Sequence, residues 1–137
     1  MSSLKISKRE IDGIIIVDLD GPITLGQDNI DLHHTIRALI EQDQKRILLN
    51  LAKVTYIDSS GLGELVAGFT SVEKNGGEMK LLNLTDRVTE LMMITKLLTV
   101  FDVYDDEQTA IGSYKTDAEK VATGPLDGSS ARANSIA

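Results

Sequence analysis

Ser59 and Ser60 stand side by side in the string Asp58-Ser-Ser-Gly-Leu-Gly63, directly after Val54-Thr-Tyr-Ile57. Two hydroxyls beside a carboxylate suit three kinds of chemistry: nucleophilic attack, phosphate binding, or acceptance of a covalent group. Attack is poorly supported. The serine elbow G-x-S-x-G of hydrolases needs small residues on both sides, and here Ile57 and Asp58 precede Ser59. His33 and His34 are the only histidines, and neighbours on a helix project about 100° apart, so at most one faces any given site. Metal chelation by that pair fails on the same geometry, because helical ligands want i, i+4 spacing. The absence of cysteine removes disulfides, thiolate zinc sites and cysteine nucleophiles.

A phosphate-binding loop is the next candidate, since Ser60-Gly-Leu-Gly63 opens a helix. It lacks the lysine of G-x-x-x-x-G-K-[ST], and Asp58 would repel a bound phosphate. Gly61, Gly63, Ala67 and Gly68 read instead as small residues that let the helix approach a sheet. Covalent modification is the third chemistry. A phosphoryl group brings about −1.5 to −2 charges at pH 7, and a helix N-terminus tolerates it through free N–H groups and the dipole. Such a charge would leave the fold intact while spoiling any interface formed over the unmodified turn. Against this stands the plain structural role, in which Ser59 or Ser60 caps the helix.

The surrounding elements have to present that turn. Residues 4–10 alternate, Asp12-Gly13 is a two-residue hairpin signal, and Ile14 to Leu19 follows as a second strand. Gly21-Pro22 and Gly26 make a loop, after which Leu32, Ile36, Leu39 and Ile40 give an amphipathic helix ending near Asp43. Arg46 to Leu51 reads as a buried strand, and Leu62, Leu65, Val66, Phe69 and Val72 as a helix closed by Asn75-Gly-Gly77. Met79 to Leu84 is the next strand. Thr85 or Asp86 then caps a helix carrying Val88, Leu91, Met92, Leu97 and Leu98. Phe101 to Tyr104 is a short strand, and Asp105 with Gln108 resembles a capping pair for a last helix through Ile111, Tyr114, Ala118 and Val121. Alternation of this kind predicts an α/β fold: a mixed sheet with an N-terminal antiparallel hairpin, later parallel strands, and helices packed against it.

The chain has 137 residues and a net charge of −7. That length is one domain's worth, and the expectation is a domain over residues 1–123 followed by a flexible tail at 124–137, rich in Ser, Ala and Gly. The tail holds one acid, Asp127, and one base, Arg132, so the excess charge belongs to the domain. An acidic surface disfavours direct nucleic-acid binding and favours a basic protein partner. No apolar run of about 18 residues is present, so neither a membrane span nor a signal peptide is expected, and a cytoplasmic location is.

The ordered features together resemble the STAS-domain family, and within it the small bacterial anti-anti-sigma factors. The resemblance covers roughly residues 4–115. It rests on the opening hairpin, Leu19-Asp-Gly21, Leu49-Asn-Leu51 before Val54-x-x-Ile57-Asp-Ser-Ser-Gly-Leu-Gly63, the Gly76-Gly77 turn, and Phe101-x-Val103 before a helix with Ala110. Membership implies a non-enzymatic antagonist without cofactor or metal. Ser59 matches the position that accepts phosphate from an anti-sigma factor serine kinase, with Ser60 as runner-up. In that family a PP2C-type, metal-dependent phosphatase reverses the modification, and the unmodified form binds the kinase and displaces the sigma factor, so the resemblance implies the same partners here.

The expected contact face comprises Gly21, Asp58, Ser59, Ser60, Gly61 and Leu62, with the Gly21–Gly26 loop, the Asp58–Gly61 turn and the helix starting at Gly61. Two positions depart from the family pattern: Asn50 replaces a frequent aspartate and Lys96 a common glycine. A free antagonist should be monomeric. The alternative, a STAS subunit of a larger signalling assembly or an accessory part of a membrane transporter, predicts self-association.

Overall fold

Asp12 and Gly13 reverse the chain with φ of 54° and 80°, the left-handed pair of a type I′ turn. They join strand β1 (Lys5–Ile11) to β2 (Ile14–Ile23), antiparallel and in register from Ile11↔Ile14 to Lys5↔Asp20. The computed structural model describes residues 3–114. After β2 come α1 (Gln27–Glu41), β3 (Arg46–Ile57), α2 (Ser59–Lys74), β4 (Glu78–Leu82), α3 (Asp86–Ile94), β5 (Val103–Tyr104) and α4 (Glu107–Gly112). The sheet order is β1-β2-β3-β4-β5, parallel at each pairing after the first. This is the mixed sheet that the sequence pattern predicts.

The central strands are apolar on both sides because helices cover both faces. Ile15, Val17, Leu19, Ile47, Leu49, Met79 and Leu81 join Leu32, Ile36 and Leu39 of α1, Leu62, Leu65 and Val72 of α2, and Val88 and Met92 of α3 in the main core. On the opposite face Ile14, Ile16, Leu48 and Leu82 meet Ala110 of the short α4 and Tyr114 just after it. Lys80 is buried on that side. Its ammonium donates to the backbone carbonyl and hydroxyl of Ser113 and lies 4.6 Å from the centre of the Tyr114 ring.

Several expected boundaries shift. β3 runs on to Ile57 instead of stopping at Leu51. Pairing moves from Asp18↔Asn50 to Asp20↔Lys53, and from Gly21↔Val54 to Ile23↔Ile57, so β3 carries one extra residue at each step. Those bulges convert the spacing of buried residues from two to three at Leu51, Val54 and Ile57, which hides the strand from an alternation test. Thr85 is the cap of α3, accepting from the Val88 N–H at 3.3 Å. Asp106, not Asp105, caps α4, accepting from the Thr109 N–H at 2.9 Å. Ala118, Val121 and the tail at 124–137 lie outside the described residues.

Leu97 and Leu98 belong to a separate 3₁₀ turn, not to α3, because Lys96 takes φ 65° and ends the helix. An L-residue pays about 1 kcal/mol or more for that conformation, and glycine does not. Lys96→Gly is therefore expected to stabilise the domain by about 0.5–1 kcal/mol after the added entropy of the unfolded chain is deducted. Urea unfolding checks this, and a lower midpoint for the variant would refute it.

Asn50 also has a physical role. Its amide donates to Asp18 Oδ1 at 2.8 Å across the β2-β3 pair, while Arg9 forks onto both oxygens of Asp18 at 2.6 and 3.0 Å and onto Glu107. The Arg9 hydrogen bonds, and secondarily Asn50, hold the Asp18 carboxyl below its ordinary range. A group lowered in this way contributes stability above its unfolded value near 4 and loses it as pH falls through the folded value. Asn50→Asp replaces a donor by a second carboxylate. It is expected to cost up to about 1 kcal/mol at pH 7. The deficit should shrink as the pH falls, because one carboxyl of a like-charged pair takes up a proton more readily. Urea midpoints at pH 7 and pH 4 test this, and an equal deficit at both would count against it.

Candidate functional site

The carboxyl ends of β2 and β3 meet the start of α2, and Asp58 ties the three together. Its extended backbone, φ −102° and ψ −177°, makes it the N-cap of α2. Oδ1 accepts from the Gly61 N–H at 2.8 Å, and Oδ2 accepts from the Leu25 N–H at 3.1 Å in the β2-α1 loop. The Asp58 N–H donates to the Ile23 carbonyl at 3.3 Å. The capping role that the sequence leaves open to either serine thus belongs to Asp58, which satisfies one orphan donor of the helix.

Ser59 and Ser60 are consequently the first two helical residues, with neither hydroxyl engaged in a hydrogen bond among the described residues. Ser59 is exposed and Ser60 half-buried. The Ser60 carbonyl accepts from Asn29 Nδ2 of α1 at 3.1 Å, which fixes the height of α1 against this turn. The loop before α1 is anchored from the other side. Asp28 is 6% exposed; its Oδ1 accepts from the N–H groups of Ser3 and Leu4, and its Oδ2 from the Thr24 hydroxyl. The serine pair therefore sits on a turn braced from three directions.

The residues expected at the contact face divide into two groups. Asp58, Ser59 and Ser60 reach the surface. Gly61 and Leu62 are buried, and Gly21 lies within β2, where a Cβ would stand 2.6 Å from the Ser3 carbonyl oxygen. These three position the turn from beneath. A Cβ on Gly61 would lie 2.3 Å from the Ile23 carbonyl oxygen and 2.7 Å from Ile57 Cγ1, so glycine is required for helix and strand to meet there. The expectation that Gly63 and Ala67 serve the same end is corrected: Gly63 faces open space and Ala67 is exposed. Gly68 does provide close approach, against Ile36 Cδ1 of α1.

Sequence reasoning missed the contribution of α3. A groove of about 480 Å³ beside Ser59 is lined by Tyr56, Asp58, Ser59, Arg87, Glu90 and Ile94, among others. Exposed apolar side chains surround the turn: Leu25 at 76%, Tyr56 at 44% and Ile94 at 71%. The usable signal was topological. Parallel neighbours β3 and β4 end on the same edge, so the helices that follow them begin side by side there.

His33 and His34 are exposed on α1, and His33 Nδ1 pairs with Glu64 at 3.2 Å. Neither ring hydrogen-bonds to Ser59 or Ser60. Among the described residues no group of three or more His, Asp or Glu is placed to hold a metal ion, and no helix is long and apolar enough to cross a membrane.

Comparison with known proteins agrees with this architecture. The family model described as STAS domain matches residues 5–110. The chain belongs to the STAS domain family. It is 32% identical over 101 residues to the anti-sigma-B factor antagonist of Bacillus subtilis, covering 74% of this chain and 91% of that protein. It is 26% identical over 113 residues to a protein of Bordetella bronchiseptica described as an anti-sigma factor antagonist, BtrV, covering 82% and 97%. Among solved structures, SpoIIAA of Bacillus in its phosphorylated form superposes with a TM-score of 0.63 at 19% identity, covering 80% of this chain and 97% of that one.

Proposed function

We propose that this protein is an anti-sigma factor antagonist whose binding state is set by phosphorylation of Ser59. The observation that carries the reading is the placement of the Ser59 hydroxyl. It is exposed, unengaged and at the first position of α2, beside an aspartate that already discharges the capping duty. In the unmodified form the turn and its apolar rim, Leu25, Tyr56 and Ile94, dock on an anti-sigma factor serine kinase, and the sigma factor held by that kinase is released. The net charge of −7 favours a basic docking surface on the kinase.

Phosphorylation changes the interface more than the fold. The new dianion gains from the first-turn N–H groups and the helix dipole, so the domain tolerates it. Docking a partner over it would strip the hydration of a dianion and bury it among the apolar side chains of the rim, which is costly. The complex dissociates, and a PP2C-type phosphatase restores the binding form. Relatives carrying the antagonist name and a phosphorylated fold relative support this reading.

Intact-mass measurement of the protein from its own cells, with peptide mapping around Tyr56 to Leu65, tests it. A fraction about 80 Da heavier, mapped to Ser59, is expected. No modified fraction in growth, starvation or stress, together with self-association in sedimentation, would favour the assembly-subunit alternative.

A further inference from the structure

Arg87 occupies the second position of α3, and its guanidinium carbon lies 5.3 Å from the centre of the Tyr56 ring. It makes no ion pair among the described residues, although the chain is acidic and carboxylates flank it. Its backbone is well placed to hold that position. The cap residue Thr85 accepts from Val88 and donates its hydroxyl to the Val54 carbonyl of β3 at 3.5 Å. Tyr56, two residues further along β3, supplies the face over which the guanidinium lies. Arg87 and Ser59 line the same groove, where Arg87 is the cation, facing Asp58 from the cap of α2 and Glu90 from α3. Asp58 is occupied by two backbone N–H groups, so Glu90 is the remaining competitor for Arg87.

We propose that Arg87 is the built-in counter-ion of phosphorylated Ser59, its guanidinium donating paired N–H groups to the phosphoryl oxygens across the Tyr56 ring. Guanidinium recognises phosphate through two parallel hydrogen bonds, and the aromatic face pre-orders its plane at little entropic cost. Tyr56 thereby acts as a rest for the cation in the unmodified protein. In the modified protein the Arg87–phosphate pair closes the groove between α2 and α3 and removes its apolar floor from the docking face. This inference rests on Ser59 as the modified residue and adds the group that receives the charge.

The test uses the full chain with phosphoserine installed genetically at position 59, so no kinase is needed. The second phosphate ionisation, near 6 for an unperturbed group, is followed by phosphorus NMR against pH. The wild-type background is expected to titrate about 0.5 units below Arg87→Gln, because a nearby cation favours the dianion. Arg87→Lys should recover part of that difference, since it restores charge without the planar fork. Equal titration in the wild-type and Arg87→Gln backgrounds would overturn the proposal. Unphosphorylated Arg87→Gln should unfold at the wild-type urea midpoint, which separates the effect from loss of stability. Failure to find phosphate on Ser59 in cells would sink the switch but leave this titration unchanged, so the two failures are distinguishable.

Discussion

Gly61→Ala is expected to destabilise the domain by about 2–3 kcal/mol, against the direction that helix propensity alone would give. In a solvent-facing helix the same change gains about 1 kcal/mol. Here the added methyl would stand 2.3 Å from the Ile23 carbonyl oxygen and 2.7 Å from Ile57 Cγ1. Ile23 ends β2, and its carbonyl is held by the Asp58 N–H, so it cannot retreat without breaking the brace on which the serine turn rests. The helix must lift instead, and Leu62 and Leu65, both in the main core, lift with it. Gly63→Ala is the internal control: two residues on, with nothing within 4 Å of its Cβ, it should be neutral or gain up to about 1 kcal/mol. Urea unfolding of the two variants gives opposite signs if the close approach decides the matter. A stabilised Gly61→Ala protein would show that α2 can shift freely over the sheet.

Those two glycines also mark how far the local sequence specifies the structure. In sequence both lie in Ser-Gly-Leu-Gly, and nothing local separates the one that is indispensable from the one that faces solvent. The fold was legible wherever a local rule and the tertiary environment agree. Asp12-Gly13 forces its turn through left-handed dihedrals, and the apolar spacing of α1 and α2 reports the single face each buries. It was illegible where neighbouring elements override the local pattern. The two bulges in β3 broke its alternation, and the left-handed Lys96 severed Leu97 and Leu98 from a helix whose spacing they continue.

The same distinction applies to the site. Asp58, Ser59 and Ser60 were visible because their chemistry is local, a carboxylate and two hydroxyls at a junction. That the carboxylate takes the cap and frees the hydroxyls depends on Gly61 and on the Leu25 N–H, 33 residues away. Arg87 and Ile94 were invisible as site residues, because only the parallel pairing of β3 with β4 brings α3 to the groove beside Ser59.

Substitutions at Ser59 should separate binding from folding more sharply than any other change in the molecule. Because Asp58 and not Ser59 caps α2, Ser59→Ala removes no hydrogen bond among the described residues. Its unfolding free energy should therefore stay within about 0.5 kcal/mol of the parent, as for an ordinary surface change. On the switch reading it cannot take up phosphate and stays in its binding form. Ser59→Asp places a single carboxylate at the first helical position, where the dipole favours it and the fold remains stable. Against the anti-sigma factor kinase it should bind about 10- to 100-fold more weakly, roughly 1.4–2.7 kcal/mol, because docking strips water from a new charge set among the exposed apolar side chains of Leu25, Tyr56 and Ile94. Phosphoserine, with nearly twice the charge, should weaken binding further. Calorimetry with the kinase reads all three proteins. Undiminished binding by Ser59→Asp would place the docking face elsewhere on the domain. Continued phosphorylation of Ser59→Ala would transfer the acceptor role to Ser60, whose carbonyl is tied to Asn29 and whose side chain is only half-exposed. In that case the partner would have to approach from the α1 side of the turn, over Leu25 and Asn29, rather than from the groove that Arg87 lines.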